Sequence, residues 1–192
     1  MKSERKIILA SASLWRREIL AKARIPFVVE ASTFEEDLSL QLPTEKLVQK
    51  LAEGKAATVA LRHGNAIVIG ADTLAEYRGK VLGKPRNAAH ARDILKNLSN
   101  KTHRVYTGYC IIDTKTGKRR IGACLTRVTF RRLPQEEIDA YVATGESLNA
   151  AGAYTIQNGA AGFVKHIEGD FYNVVGLPLA TILDELRRFG TC

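Results

Sequence analysis

The longest apolar run in this chain, Ala66-Ile-Val-Ile-Gly-Ala71, is far too short to cross a bilayer, which takes about 20 residues as a helix. Its length suits a strand buried on both faces, read over 66–70 and leading into Ala71-Asp72-Thr73. Shorter runs of the same kind occur at 7–10 and 27–30. Helical patterns lie between them: 14–23, where Trp15 and Ile19 are four apart, and 45–62, opened by Pro43-Thr44 and stopped by His63-Gly64-Asn65. Further on, 74–77 and 80–82 flank the turn Arg78-Gly79, and two long β segments, 103–113 and 120–130, are joined around Thr114-Lys-Thr-Gly117. Helical patterns at 87–98, 134–144 and 177–189 and a strand at 162–167 complete the chain. Strands alternate with helices early and form hairpins late, so the expected fold class is α/β, a mixed sheet flanked by helices.

The length of 192 residues predicts a single domain spanning 1–192, large enough to bury a core without staples. Cys110, Cys124 and Cys192 are far apart and make no CxxC pair, which argues against a disulfide framework or zinc knuckle and suits a reducing, cytoplasmic setting. The four or five apolar residues after Met1-Lys-Ser-Glu-Arg-Lys6 are too few for a signal-peptide core. The net charge of +9 favours an anionic partner: nucleic acid, a phosphorylated small molecule or an acidic surface. A merely solvated basic surface reads the same way.

Five constellations bear chemistry. In Leu9-Ala-Ser-Ala-Ser-Leu-Trp-Arg-Arg17 a strand feeds a hydroxyl-bearing loop and a helix N-terminus, where free N–H groups, Ser11, Ser13 and Arg16 or Arg17 suit phosphate oxygens; a plain N-capped helix fits equally. Trp15, the only tryptophan, is either a core anchor or a ring that stacks on a base. Lys55 shares the stripe of Leu51 and Val59, so it either snorkels or meets an anionic ligand in a cleft. Asp72, just past a buried strand in Gly70-Ala-Asp-Thr73, and the acids of Phe34-Glu-Glu-Asp37 are either turn and surface residues or a pair able to hold Mg²⁺ against phosphates and activate water. Lys84 is fixed between Gly83 and Pro85, in a sequence that is not a P-loop. Gln157, in Ala151-Gly-Ala-Tyr-Thr-Ile-Gln157, offers an amide suited to a base edge. The four histidines have no ligand spacing.

Taken in order, Leu9-Ala-Ser-Ala-Ser13, Glu36, Lys55, Gly70-Ala-Asp-Thr73, Gly83-Lys-Pro85, Thr107-Gly108, Gly145-Glu146, Ala151-Gly-Ala-Tyr-x-Ile-Gln157 and Asn173-Val-Val-Gly-Leu-Pro178 closely resemble the Maf family of nucleoside-triphosphate pyrophosphatases over about 7–186. The resemblance implies a fold related to the inosine-triphosphate pyrophosphatases, two lobes with a central cleft, often a homodimer, and a reaction that converts NTP and water to NMP and pyrophosphate with Mg²⁺ or Mn²⁺. It implies that Asp72 is the proton acceptor and a metal partner and that Glu36 is the second acid and metal ligand. Lys55 and Lys84 become phosphate-facing cations, and Ser11, Ser13 and Arg16 the phosphate-binding loop. Leu14 and Trp15 depart from the family's Ser-Pro-Arg-Arg loop, and Trp15 resembles the branch that cleaves 7-methyl-GTP. Thr73 and Gln157 resemble the branch that cleaves dTTP and UTP, and with two of three base-selecting positions the expected substrates are dTTP and UTP. Alternatives are 7-methyl-GTP pyrophosphatase activity, or a non-catalytic basic protein that binds nucleic acid or a protein partner in cell division, supported by Lys118-Arg-Arg120 and Arg131-Arg132. No nucleic-acid-binding signature accompanies those basic runs.

Overall fold

The computed structural model describes residues 5–191; Cys192 and the first four residues lie outside it. In chain order the elements are β1 (Lys6–Leu9), α1 (Leu14–Ala21), β2 (Val28–Val29), α2 (Thr44–Ala60), β3 (Ala66–Tyr77), β4 (Lys80–Leu82), α3 (Ala88–Leu98), β5 (Thr102–Asp113), β6 (Arg119–Phe130), α4 (Gln135–Ala143), β7 (Val164–Glu168), α5 (Phe171–Val175) and α6 (Leu179–Arg188). Three short 3₁₀ turns fill much of the stretch between α4 and β7. Among the described residues the strands form one mixed sheet in the order β2-β1-β3-β5-β6-β7, with β4 paired to β3. This is the expected α/β class. None of the described helices is long and apolar enough to cross a membrane.

β1 runs parallel to both neighbours, with Ile8 opposite Val28 and Val68. β4 and β7 are antiparallel to β3 and β6, and β7 pairs with an irregularity at Thr129/Phe130. Two expectations change here. The strand expected to end at Gly70 continues unbroken to Tyr77, so Asp72 lies within β3 and not in a loop beyond it. The C-terminal helix expected over 177–189 begins only at Leu179, behind Pro178, and a separate short helix, α5, precedes it.

Internal contacts gather the chain into two compact units. The first holds the residues up to Asp72, Thr107–Cys124 and the residues from Gly176 on; the second holds Thr73–Tyr106 and Leu125–Val175. In the first, α2 covers the sheet through Ala52, Ala56 and Val59, which pack on Ile8, Val68, Cys110 and Ile112. Gly70 and Gly108 let the helix approach this closely, since a Cβ at either would overlap the α2 backbone at Ala52 or Val48. Cys110 is buried there, and it and Cys124 are free thiols. In the second unit, α3 and α4 enclose a core of Leu95, Leu98, Phe130, Ile138, Tyr154 and Phe163. Asn87 caps α3 by accepting a bond from the His90 N–H at 2.9 Å.

Candidate active site

The loop between β1 and α1 is organised by its two serines. Ser13 caps α1, its side chain accepting from the Arg16 N–H. Ser11, buried, accepts from the Ser13 N–H at 3.1 Å and from Arg16 Nη1 at 3.4 Å. Arg16 is held a second time, its Nε donating to the Gly176 carbonyl at 2.8 Å. The guanidinium is thereby fixed from both sides. Burial lowers its pKa, while the charges of Asp72 and Glu36 raise it. No acidic residue occupies the first turn of α1, so the positive end of the helix is left for an anion.

The stripe on α2 delivers the second component. Leu51 and Val59 are buried in the core, and Lys55 between them turns its ammonium to two carboxylates. Lys55 Nζ lies 2.5 Å from Asp72 Oδ1 and 2.6 Å from Glu36 Oε1. The Lys55 and Asp72 side chains are only 12% and 8% exposed, whereas that of Glu36 is 44% exposed. Asp72 Oδ2 is buried and has no hydrogen-bond partner. A carboxylate oxygen left bare in this way is costly unless something else satisfies it. Burial raises the Asp72 pKa; Lys55 and Arg16 pull it back down, and Glu36 adds to the rise. The result is a carboxylate that binds a proton more readily than an ordinary aspartate, wedged among two cations and a second acid.

The donor set fits a small hard cation. Among the described residues no group of three or more His, Cys, Asp or Glu side chains is placed to hold a metal. Two carboxylates with an unsatisfied oxygen nevertheless match a Mg²⁺-like ion that takes one or two protein carboxylates and completes its shell with phosphate and water.

Within the first unit, then, the structure brings together Ser11, Ser13, Arg16, Glu36, Lys55 and Asp72. Trp15 is half-buried on α1 and absent from the buried core, which corrects its reading as a core anchor. Lys84, Thr73 and Gln157 belong to the second unit. Lys84 is exposed just beyond β4, and Thr73 and Gln157 are half-buried. The loops carrying Lys84 and Gln157 meet where the Gly152 N–H donates to the Gly83 carbonyl at 3.2 Å. Gly152 and Ala153 are both left-handed, φ 74° and 65°, an unusual conformation for an alanine. A surface depression of about 430 Å³ is lined by Lys96, Lys101, Arg132, Leu133 and neighbours, and contains none of the candidate residues. The Gly176 carbonyl was not foreseeable as a site group, because a main-chain oxygen leaves no mark on residue type.

Comparison with known proteins places the chain in a family. The Maf-like protein family profile matches residues 6–189. The chain is 47% identical over 190 residues to the dTTP/UTP pyrophosphatase of Bacillus mycoides (strain KBAB4), covering 97% of both chains. It is 46% identical over 185 residues to the protein of that name from Moorella thermoacetica (strain ATCC 39073 / JCM 9320), covering 96% of this chain and 95% of the relative. A profile match over residues 6–189 and relatives 46–47% identical along nearly the whole chain lead to one assignment: the chain belongs to the Maf family.

Proposed function

We propose that this protein is a cytoplasmic nucleoside-triphosphate pyrophosphatase that cleaves dTTP and UTP to the monophosphate and pyrophosphate. The observation that carries the reading is the unpartnered Oδ2 of Asp72, held beside Lys55, Glu36 and Arg16. Lys55 engages Oδ1 and so fixes which carboxylate oxygen remains for the reaction. The names of the relatives support the substrate class.

In this reading water attacks the α phosphorus, a new P–O bond forms, and the bond from the α phosphorus to the α–β bridging oxygen breaks. The electron pair of that bond leaves with pyrophosphate. Asp72 accepts the proton of the attacking water. Lys55 and Arg16 offset the charge that builds on the phosphoryl oxygens. The N-terminus of α1, shaped by Ser11 and Ser13, receives an anionic oxygen. Asp72 and Glu36 would hold Mg²⁺ or Mn²⁺, which neutralises phosphate charge when bound. The family pattern assigns Lys84 to phosphate charge and Trp15, Thr73 and Gln157 to base preference.

The basic runs favour no nucleic-acid reading. Arg119 pairs with Glu53 at 2.8 Å, Arg120 makes a two-pronged pair with Glu185, and Arg131 pairs with Glu137. The deciding experiment is a panel of canonical triphosphates and 7-methyl-GTP with Mg²⁺ or Mn²⁺, following pyrophosphate against orthophosphate. Pyrophosphate release fastest with dTTP and UTP is the expected result. Orthophosphate release overturns the bond assignment, and preference for 7-methyl-GTP overturns the base assignment.

A further inference from the structure

Glu36 is the one exposed member of the charged trio, and its position depends on how residues 30–36 lie along α2. That segment is fastened at four successive points. Glu30 accepts from Arg62 Nε at 2.6 Å and pairs with His63 Nε2 at 2.7 Å, in the turn that follows the helix. The Ser32 and Thr58 hydroxyls are 2.7 Å apart, Ser32 Oγ also accepts the Phe34 N–H at 3.1 Å, and Thr58 donates to the carbonyls of Gly54 and Lys55. The Phe34 ring rests directly on Gly54, and Glu36 reaches Lys55. Residues 54, 58 and 62 are spaced by four, so these fastenings follow one face of the helix.

Gly54 is the informative member. Glycine is a poor choice inside a 17-residue helix, and here a Cβ would overlap Cδ2, Cε2 and Cζ of Phe34. The glycine is a notch and the ring fills it. Only Glu35 separates Phe34 from Glu36, and Lys55 follows Gly54 directly, so ring and notch stand beside the ion pair on both chain segments.

We infer that Phe34 is a positioning residue: its ring, seated in the notch at Gly54, presents the Glu36 carboxylate to Lys55 opposite Asp72. The inference rests on the proposed role of Glu36 in pyrophosphate release. Without the ring the notch at Gly54 is left unfilled, and an exposed carboxylate on a loosened loop spends less time in place.

The test combines turnover of UTP with Mg²⁺, amide hydrogen exchange over residues 33–37, and thermal unfolding. Phe34→Ala is expected to lower kcat about tenfold with KM changed less than about threefold, to speed exchange in 33–37, and to leave the unfolding midpoint nearly unchanged. Phe34→Leu, which keeps apolar bulk, restores part of the rate. Gly54→Ala, a change that favours an isolated helix, produces the same loss by displacing the ring. In the Phe34→Ala background, however, it does no further harm, because no ring remains to displace. Phe34→Ala likewise adds nothing to Glu36→Gln.

Unchanged exchange in Phe34→Ala, or losses that multiply in Phe34→Ala/Glu36→Gln, would overturn the positioning role. Full activity in Glu36→Gln alone would overturn the reading of Glu36 instead, and the exchange data separate the two failures.

Discussion

Asp72 and His103 are both titratable side chains sunk into strands of the sheet, Asp72 on β3 in the first unit and His103 on β5 in the second. Each leaves one buried polar atom without a hydrogen-bond partner, Oδ2 in the aspartate and Nδ1 in the histidine. Their surroundings differ in kind. His103 shares one hydrogen bond with the Tyr154 hydroxyl at 2.8 Å and meets the rings of Phe130 and Tyr154 edge-on at 5.0 and 5.4 Å. Burial alone pushes its pKa down to about 4. Asp72 feels the same desolvation, but Lys55, Arg16 and Glu36 all act on it. Burial without charge makes the histidine a neutral packing piece. Burial among opposed charges leaves the aspartate poised to exchange a proton. A buried titratable group is therefore not a functional signal by itself; the charges gathered around it are.

The sharpest way to break this contrast is Asp72→Asn. Turnover should fall about 10²–10⁴-fold, the range for removal of a general base, while the fold survives. The stability prediction has a definite sign. The folded Asp72 pKa is raised, so between the unfolded and folded values the native state binds more protons and stability declines as pH rises. At neutral pH the ionised Asp72 is a liability that asparagine removes. Urea unfolding should find Asp72→Asn at least as stable as wild type at pH 7, with the difference shrinking once the carboxyl is protonated in both states. A variant inactive because it unfolds would place Asp72 with His103, as a structural residue.

Next in size is Lys55→Gln, which leaves two carboxylates facing each other without their shared cation. Breaking a buried pair costs about 3–5 kcal/mol, and the 44% exposure of Glu36 moves the expected loss to about 2–3 kcal/mol at pH 7. The defect should diminish on acidification, as Asp72, whose pKa is raised, takes up a proton. A loss independent of pH would mean that Lys55 works through its packing stem and not through its charge.

His103 supplies the opposite pH dependence. Its folded pKa of about 4 lies below the ordinary 6.5, so the unfolded chain binds more protons between those values. Stability is fully present above 6.5 and is lost as pH falls toward 4, by about 3 kcal/mol at the full interval. The double variant His103→Phe/Tyr154→Phe removes both partners of the hydrogen bond, which is milder than removing one. It should flatten the slope of stability between pH 6.5 and 4 while changing kcat less than about threefold. A large kcat effect would make His103 a second charged centre and dissolve the contrast.

How far the sequence exposed these regions depends on what kind of signal each left. Ser13, Asn87 and the apolar stripe of Leu51, Lys55 and Val59 left strong local marks, and α1, α2 and α3 lie within two residues or so of where those marks put them. The continuation of β3 through Asp72-Thr73 was hidden, because a polar pair after an apolar run has the composition of a turn and only the neighbouring strands keep it extended. The 3₁₀ turns between Glu146 and Phe163 have no periodicity to detect. In the site, residue types were legible and their supports were not. Asp72, Lys55, Glu36, Ser11 and Arg16 are chemically conspicuous. The Gly176 carbonyl that fixes Arg16 and the Phe34 ring on Gly54 follow only from three-dimensional contact.

The smallest test concerns a third buried atom of the same kind. Ser147 Oγ is fully buried in the 3₁₀ turn Glu146–Asn149 and has no hydrogen-bond partner. A serine hydroxyl carries no charge at neutral pH, so by the logic that separates Asp72 from His103 it should be dispensable. Removing a buried hydroxyl that makes no bond relieves an unrecovered desolvation cost of about 1 kcal/mol or somewhat more, less a small loss of packing. Ser147→Ala should therefore unfold at the same urea concentration as wild type or slightly higher, with a gain of no more than about 1 kcal/mol. A clear loss of stability would show that the hydroxyl is satisfied in solution, by a bound water for example, so that it is not an idle group. A gain in stability with normal turnover leaves the charges around Asp72 as the property that separates a reactive buried group from an idle one.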